Sequence, residues 1–120
     1  REHVLILYEN LLFAKGLLSI LRREGIFKVE DLLPRKGNRW KEIKFLRPEV
    51  IIVEGDNPLA DASNVLRELL KHSQRGCVIG VNLNAADTVV CTGMRLAATE
   101  GNLIRAVKTQ IEGDEDRKSA

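Results

Sequence analysis

A chain of 120 residues, of which 44% are hydrophobic and 30% charged, has the length and composition of one globular domain with a single core. Its net charge of +2 is too small to indicate nucleic-acid binding by itself. The two cysteines lack the spacing of a zinc site or of a disulfide framework. No apolar run has the length of a membrane span or the flanks of a signal sequence, so we expect a cytoplasmic protein.

The first third of the chain predicts a strand, a helix and a second strand. The apolar run Val4–Leu7 is typical of a strand that is buried on both faces of a parallel sheet. Asn10 can cap the helix that follows, and Gly25 can end it. Phe27–Leu33 mixes apolar and charged residues, which predicts a more exposed second strand.

The middle of the chain repeats this alternation. Trp40–Leu46 predicts a short amphipathic helix that ends before Pro48. Val50–Val53 predicts a buried third strand, and a helix then begins at Pro58 and runs to about His72. Cys77–Leu83 predicts a fourth strand. Strands that alternate with helices in this way predict an α/β three-layer sandwich with a mostly parallel sheet.

The fifth strand, Thr88–Thr92, breaks the alternation because only Asn84–Asp87 separates it from the fourth. A parallel crossover needs about a dozen residues, whereas a loop of this length suits an antiparallel hairpin. We therefore predict a hairpin and no fourth helix between these strands. This hairpin would place Cys91 opposite Gly80, so Cys77 and Cys91 would point to opposite faces and form no disulfide.

The final segment predicts a last helix that is capped by Thr99. The face that this helix is predicted to bury carries Leu103, Ile104, Val107 and Ile111. The mixed charges of residues 113–120 predict a frayed tail or linker after a domain that spans residues 1–112.

Three segments, taken in order, resemble the receiver domain of response regulators. Val4–Leu17 is similar to the first strand, acidic pair and first helix of that family. Arg47–Glu54, followed by Pro58, resembles the strand that carries the phosphate-accepting aspartate, and Thr99–Val107 resembles the start of the final helix. The resemblance covers Val4 to about Ile111 and implies a flavodoxin-like, receiver-type fold with a five-stranded, mostly parallel sheet.

The resemblance also implies a site, because active receivers hold Mg²⁺ between two acids and the phosphoacceptor. The positions that correspond to the acidic pair, the phosphoacceptor and the hydroxyl residue are Tyr8, Glu9, Glu54 and Asn82. The lysine has no counterpart, and counting back from the final helix places Leu96 nearest to it. Of these, Glu9 alone is conservatively kept. The resemblance therefore implies a pseudo-receiver, which keeps the fold, has lost the phosphorelay and is not expected to use Mg²⁺ or another cofactor.

Alternatives remain at this site. Glu54 either imitates a phosphorylated aspartate or is a solvated acid in a cleft that no longer works. Asp56 is an alternative phosphoacceptor, although aspartate is also expected there because the segment is a turn. Glu9, Glu54 and Asp56 could also gather a divalent cation at the carboxyl end of the sheet, where open α/β sheets bind ligands.

The function that we expect is phosphorylation-independent signalling through protein–protein contact, without enzyme activity. One alternative is a working receiver that accepts phosphate with Mg²⁺. Another is a small-molecule-binding regulatory module that uses the crevice beyond Tyr8, Glu54 and Asn82. The exposed edge of the predicted hairpin also favours a homodimer.

A basic segment surrounds Trp40 and comprises Lys28, Arg35, Lys36, Arg39, Lys41, Lys44 and Arg47. Such a segment either binds an acidic protein or nucleic acid, or forms a solvated helix face above a buried tryptophan. We favour the solvated helix face, and therefore expect no nucleic-acid partner for this domain alone.

Overall fold

The computed structural model describes residues 3–25 and 28–119. Within these residues the chain folds into five strands and four helices of an α/β architecture. The strands are β1 (His3–Tyr8), β2 (Lys28–Pro34), β3 (Val50–Glu54), β4 (Arg75–Asn82) and β5 (Asp87–Met94). The helices are α1 (Leu11–Glu24), α2 (Trp40–Leu46), α3 (Pro58–Leu70) and α4 (Glu100–Ser119). Phe27, where the second strand was predicted to begin, lies outside the described residues.

The five strands form one mixed sheet in the order β2-β1-β3-β4-β5. Neighbours among the first four strands are parallel, and β5 is antiparallel to β4. The predicted hairpin is therefore confirmed. Its turn is stabilised by the Asn82 side chain, whose Oδ1 accepts the N–H groups of Asn84 and Ala85, each at 3.1 Å.

The register of the hairpin differs by two residues from the prediction, because the turn begins earlier than expected. Cys91 pairs with Val78 rather than with Gly80. A shift of two residues leaves every side chain on its predicted face. Cys77 and Cys91 accordingly face opposite sides of the sheet, and both are free thiols.

Successive side chains of a strand point to opposite faces of the sheet. The buried residues of the strands therefore form one core cluster on each face. On one face, α2 and α3 pack against a cluster that includes Leu5, Ile51 and Val78. On the other face, α1 packs against a cluster that includes Val4 and Ile6. This arrangement is consistent with a three-layer α/β sandwich.

Capping residues set the helix ends as predicted. The Oδ1 atom of Asn10 accepts the N–H groups of Leu12 and Phe13 at 3.0 and 3.2 Å. Gly25 ends α1 in the left-handed region, with φ of 66°, which favours glycine. None of the helices in the described part of the chain is both long enough and apolar enough to cross a membrane.

Helix α4 departs from the prediction in two ways. Its apolar residues remain exposed to solvent, with exposed fractions of 67% for Leu103, 46% for Ile104, 50% for Val107 and 54% for Ile111. The helix also continues to Ser119, through the segment that was predicted to be a frayed tail. Within the described residues, α4 has no extended packing against any other helix or strand. The predicted burial of this face in the core of its own chain was wrong.

Close packing between β4 and α3 gives a test of the fold. A Cβ atom at Gly80 would collide with the main-chain carbonyl of Pro58 in the first turn of α3. We expect Gly80→Ala to lower the free energy of unfolding by about 1–3 kcal/mol, because the backbone of α3 must shift. Urea denaturation measures the loss.

Gly16→Ala is the matched control, since a Cβ atom at Gly16 would meet no other atom within 4 Å. Alanine at this position inside α1 should instead raise the free energy of unfolding by about 0.5–1 kcal/mol. Similar effects of the two substitutions would contradict the close approach of α3 to β4.

Candidate functional site

The carboxyl ends of the parallel strands meet at one edge of the sheet, where open α/β sheets place their ligand crevice. In this chain the edge is formed by the loops that follow β1, β2 and β3. We call it the carboxyl-end cleft and define it by Tyr8, Glu9, Arg35, Glu54 and Asp61.

Glu54 is buried at the end of β3, with 5% of its surface exposed. Its Oε1 atom accepts the main-chain N–H groups of Glu9 at 3.0 Å and of Asn10 at 2.7 Å. Because Asn10 caps α1, the carboxylate also lies at the positive end of that helix. Glu54 thus ties β3 to the start of α1. The interpretation of Glu54 as a solvated acid is therefore wrong.

Arg35 occupies the cleft beside Glu54. Its guanidinium forms a two-pronged ion pair with Asp61, from Nη2 to Oδ1 at 2.8 Å and from Nη1 to Oδ2 at 3.1 Å. Nη1 also donates to the main-chain oxygen of Glu54 at 3.2 Å and lies 3.6 Å from Oε1 of Glu9. The Arg35 and Asp61 side chains are 25% and 16% exposed, so the pair is only partly screened by solvent.

Gly55 provides the space that Arg35 fills. A Cβ atom at this buried position would collide with the Nη1 atom of Arg35 and would lie 2.8 Å from Oδ2 of Asp61. A side chain at residue 55 would therefore displace the guanidinium. Sequence analysis missed Gly55 and Asp61 as parts of the site, and it assigned Arg35 to the basic segment instead.

Two other candidate residues belong to the hairpin side of this edge. Asp56 is exposed, and its main-chain oxygen accepts a hydrogen bond from Nδ2 of Asn82 at 3.2 Å. The Oδ1 atom of Asn82 is already used by the hairpin turn. Asn82 therefore stabilises the turn and links it to the loop after β3. Within the described residues, no group of three or more His, Cys, Asp or Glu side chains is arranged to hold a metal ion.

Leu96 lies at the opposite end of the sheet from the cleft. Since β5 runs antiparallel, Met94 pairs with Arg75 at the amino end of β4. Asp87, at the other end of β5, pairs with Asn82 at the carboxyl end of β4. At roughly 3.4 Å per residue, the distance from Asp87 to Met94 along β5 is about 24 Å. Counting back from the last helix had assumed that β5 ends at the carboxyl edge, so the placement of Leu96 in the pocket was wrong.

Two concave surfaces lie near the residues discussed above. An open depression of about 610 Å³ is lined by Tyr8, Glu9, Pro34, Arg35 and Lys36. A larger one of about 1120 Å³ lies beside α2 and includes exposed Lys41, Lys44 and Phe45. Trp40 is half-buried and packs against the core, as the interpretation of a solvated helix face above a tryptophan requires.

Comparison with known proteins gives no match to a family model, to a curated protein or to a solved structure. The geometry of the cleft and of the exposed surfaces is therefore the basis for the functional proposals.

Loss of the Arg35 guanidinium is expected to destabilise the fold. Arg35→Ala leaves Asp61 and the main-chain oxygen of Glu54 without their donor, which should lower the free energy of unfolding by about 1.5–3 kcal/mol. Arg35→Lys should recover only part of this loss, because an ammonium cannot form the two-pronged pair. Chemical denaturation measures both variants.

Lys71→Ala serves as the control, because it removes an exposed ion pair between Lys71 Nζ and Glu68 Oε1 at 2.8 Å. Exposed pairs of this kind contribute little to stability. A loss for Arg35→Ala that is no larger than the loss for Lys71→Ala would show that Arg35 does not hold the cleft together.

The packing of Arg35 over Gly55 gives a second, independent test. Gly55→Ala should destabilise the native chain because the new methyl group displaces the guanidinium. In an Arg35→Ala background the same substitution should cost less, with a coupling energy of about 0.5–3 kcal/mol between the two changes. A double-mutant cycle measures this coupling, and strictly additive effects would contradict the contact.

Proposed function

We propose that this chain is a pseudo-receiver, a non-enzymatic, cytoplasmic signalling domain that contacts other proteins without being phosphorylated. The strand order supports a flavodoxin-like, receiver-type fold, because the order 2-1-3-4-5 is the one that characterises it. The position of Glu54 at the end of the central strand β3 supports the match with the phosphoacceptor strand. The antiparallel β5 is a departure from the family's parallel sheet.

The inward orientation of the Glu54 carboxylate carries the proposal. A phosphate-accepting carboxylate must present an oxygen atom to a donor molecule. Glu54 is instead 5% exposed, and its Oε1 atom accepts two main-chain N–H groups of the β1–α1 loop. The additional methylene of glutamate lets the carboxylate reach this loop. Its role is consequently structural.

The residues of the cleft do not fit the Mg²⁺ ion of an active receiver. Such an ion needs several oxygen ligands, of which carboxylates contribute the negative charge. Tyr8 replaces one of the acids with a neutral phenol, and the charge of Glu9 faces Arg35 at 3.6 Å. The Arg35 guanidinium supplies the positive charge that the acids of this edge require.

Imitation of a phosphorylated aspartate by Glu54 has little support. In the family, the phosphoryl group is held by a hydroxyl residue and a lysine at the ends of the fourth and fifth strands. Here Asn82 stabilises the hairpin turn, and Leu96 lies at the far end of the sheet. The Glu54 carboxylate instead accepts the N–H groups of Glu9 and Asn10, which favours one fixed conformation and a constitutive contact surface.

A small-molecule-binding module is the second candidate. The open depression beside Tyr8 has a volume of about 610 Å³ and is lined by two cationic residues, Arg35 and Lys36, and by Glu9. This lining favours small anionic ligands. A screen of anionic metabolites by thermal shift tests this candidate. A concentration-dependent rise in melting temperature that Lys36→Ala removes would support this candidate. A melting temperature that no compound of the screen raises would count against it.

The pseudo-receiver proposal predicts that small phosphodonors leave the chain unmodified. Incubation with acetyl phosphate and Mg²⁺, followed by intact mass spectrometry, should detect no phosphoryl adduct on the native chain. The Glu54→Asp variant should also stay unmodified, because Tyr8 and Arg35 still prevent metal binding. A working receiver domain that is treated in parallel provides the positive control.

A phosphoryl adduct on the native chain would overturn the proposal in favour of a working receiver. Loss of that adduct in Glu54→Gln, or alternatively in Asp56→Asn, would identify which of the two acids accepts the phosphoryl group.

A further inference from the structure

Strands β4 and β5 are covered by a helix of the described part of the chain on one face of the sheet and not on the other. Helix α1 packs against β1 and β2, whereas α3 packs against β3, β4 and β5 on the opposite face. On the side of α1, strands β4 and β5 present a strip of uncharged side chains that we call the open face. The open face consists of Cys77, Ile79, Thr88, Val90, Thr92 and Met94. Within it, Val90 is 62% exposed and Met94 is 55% exposed.

The same chain carries an apolar helix surface that also lacks a cover. We call it the α4 stripe, and it consists of Leu103, Ile104, Val107 and Ile111. These positions recur at helical spacing and form one continuous ridge. Among residues 100–113 of α4, the half-buried positions are instead Asn102, Ala106 and Gly113. Asn102 and Ala106 line a depression with the segment before the helix, residues 96–99, whereas the residues of the α4 stripe are exposed to solvent.

Hydrogen bonds set the point at which α4 leaves the sheet. Gln110 of α4 lines a depression beside Cys77, Thr92 and Met94, while Val90 of the open face stays 62% exposed. The N–H group of Arg95 donates to the Gln74 oxygen at 2.8 Å, and its guanidinium donates to the Leu70 oxygen at 2.8 Å. These bonds fix the end of β5 to the last residue of α3, which lies on the opposite face of the sheet, and to the segment that joins α3 to β4. The bond from Asn102 Nδ2 to the Ala97 oxygen, at 3.0 Å, then fixes the bend before α4.

The exposed area of the chain is what a dimer of this kind requires. The chain exposes 8525 Å², whereas a compact monomer of 13.5 kDa exposes roughly 6500 Å². The excess of about 2000 Å² is larger than the roughly 800 Å² that each partner buries in a stable complex. The radius of gyration, 15.9 Å, likewise exceeds the roughly 13.6 Å of a compact chain of this length.

We propose that a second copy of this chain covers both surfaces, so that the α4 stripe of each copy packs against the open face of the other. A two-fold axis makes the two contacts equivalent, which closes the assembly as a dimer. Arg75, which pairs with Met94, is exposed on this face at the amino end of β4. The six residues that define the open face are uncharged, and depletion of charge is typical of the core of an interface. This inference does not depend on the loss of phosphate chemistry, which the intact-mass experiment addresses separately.

Val107→Glu tests the contact, because it places a charge in the middle of the α4 stripe without disturbing the core. Sedimentation equilibrium should find a dimer for the native chain. It should also find a dissociation constant that is raised at least about 30-fold in the variant, as for the loss of a central interface residue. Leu59→Glu is the control, since Leu59 is 60% exposed on α3 and lies outside both surfaces. Its dimer should be unchanged.

Two results of this experiment would overturn the inference. One is a native chain that stays monomeric at every concentration. The other is a dimer that Val107→Glu leaves intact, which would place the interface elsewhere, for example at the edge of β5.

Disulfide trapping tests helix exchange, the arrangement in which the α4 stripe of each copy packs against the open face of the other. In a background that carries Cys77→Ala and Cys91→Ala, a chain with Val107→Cys is mixed with a chain with Val90→Cys and oxidised. Exchange predicts a covalent dimer that contains one chain of each kind. Crosslinking of the Val107→Cys chain with itself alone would indicate helix-to-helix pairing. An intrachain disulfide in a chain with both substitutions would indicate that α4 closes on its own sheet. Either result would overturn the exchange.

Discussion

The ion pair between Arg35 and Asp61 holds together the edge of the sheet at which open α/β sheets place their ligand crevice. Its two short contacts join the loop after β2 to the first turn of α3, and the same guanidinium reaches the main chain of β3. Glu54 completes the junction by binding the start of α1 through Glu9 and Asn10. The charges and hydrogen-bonding groups of this edge are thus largely satisfied within the chain, which suits a rigid surface better than a switch.

A four-residue turn between β4 and β5 determines the other half of the molecule. Because Leu83–Ala86 is too short for a helical crossover, β5 must run antiparallel and end at the amino edge of the sheet. Arg95 then joins the chain to Leu70 of α3, and α4 leaves Val90 and Met94 of the uncovered strands exposed. The same turn therefore explains why a sheet face and an apolar helix surface both remain exposed in one chain.

Local signals allowed much of the fold to be predicted from the sequence. Asn10, Gly25 and Pro58 set helix ends through contacts within a few residues, and the loop length alone predicted the hairpin. The pairing of Arg35 with Asp61 could not be predicted, because it joins segments 26 residues apart and leaves no periodic pattern. The periodicity of α4 predicted an apolar face correctly, but such a pattern cannot tell whether the surface that covers it belongs to the same chain.

Titration with Mn²⁺, followed through the amide resonances of the chain, tests most directly whether Arg35 is the cation of the carboxyl-end cleft. The paramagnetic ion broadens the signals of nuclei near any site that it occupies. If the cleft is filled as described, broadening should be weak and should be spread over exposed acids such as Glu42 and Glu68. Selective broadening of the Glu9, Glu54 and Gly55 amides at low Mn²⁺, abolished by Glu54→Gln, would show a divalent metal site there and contradict the account.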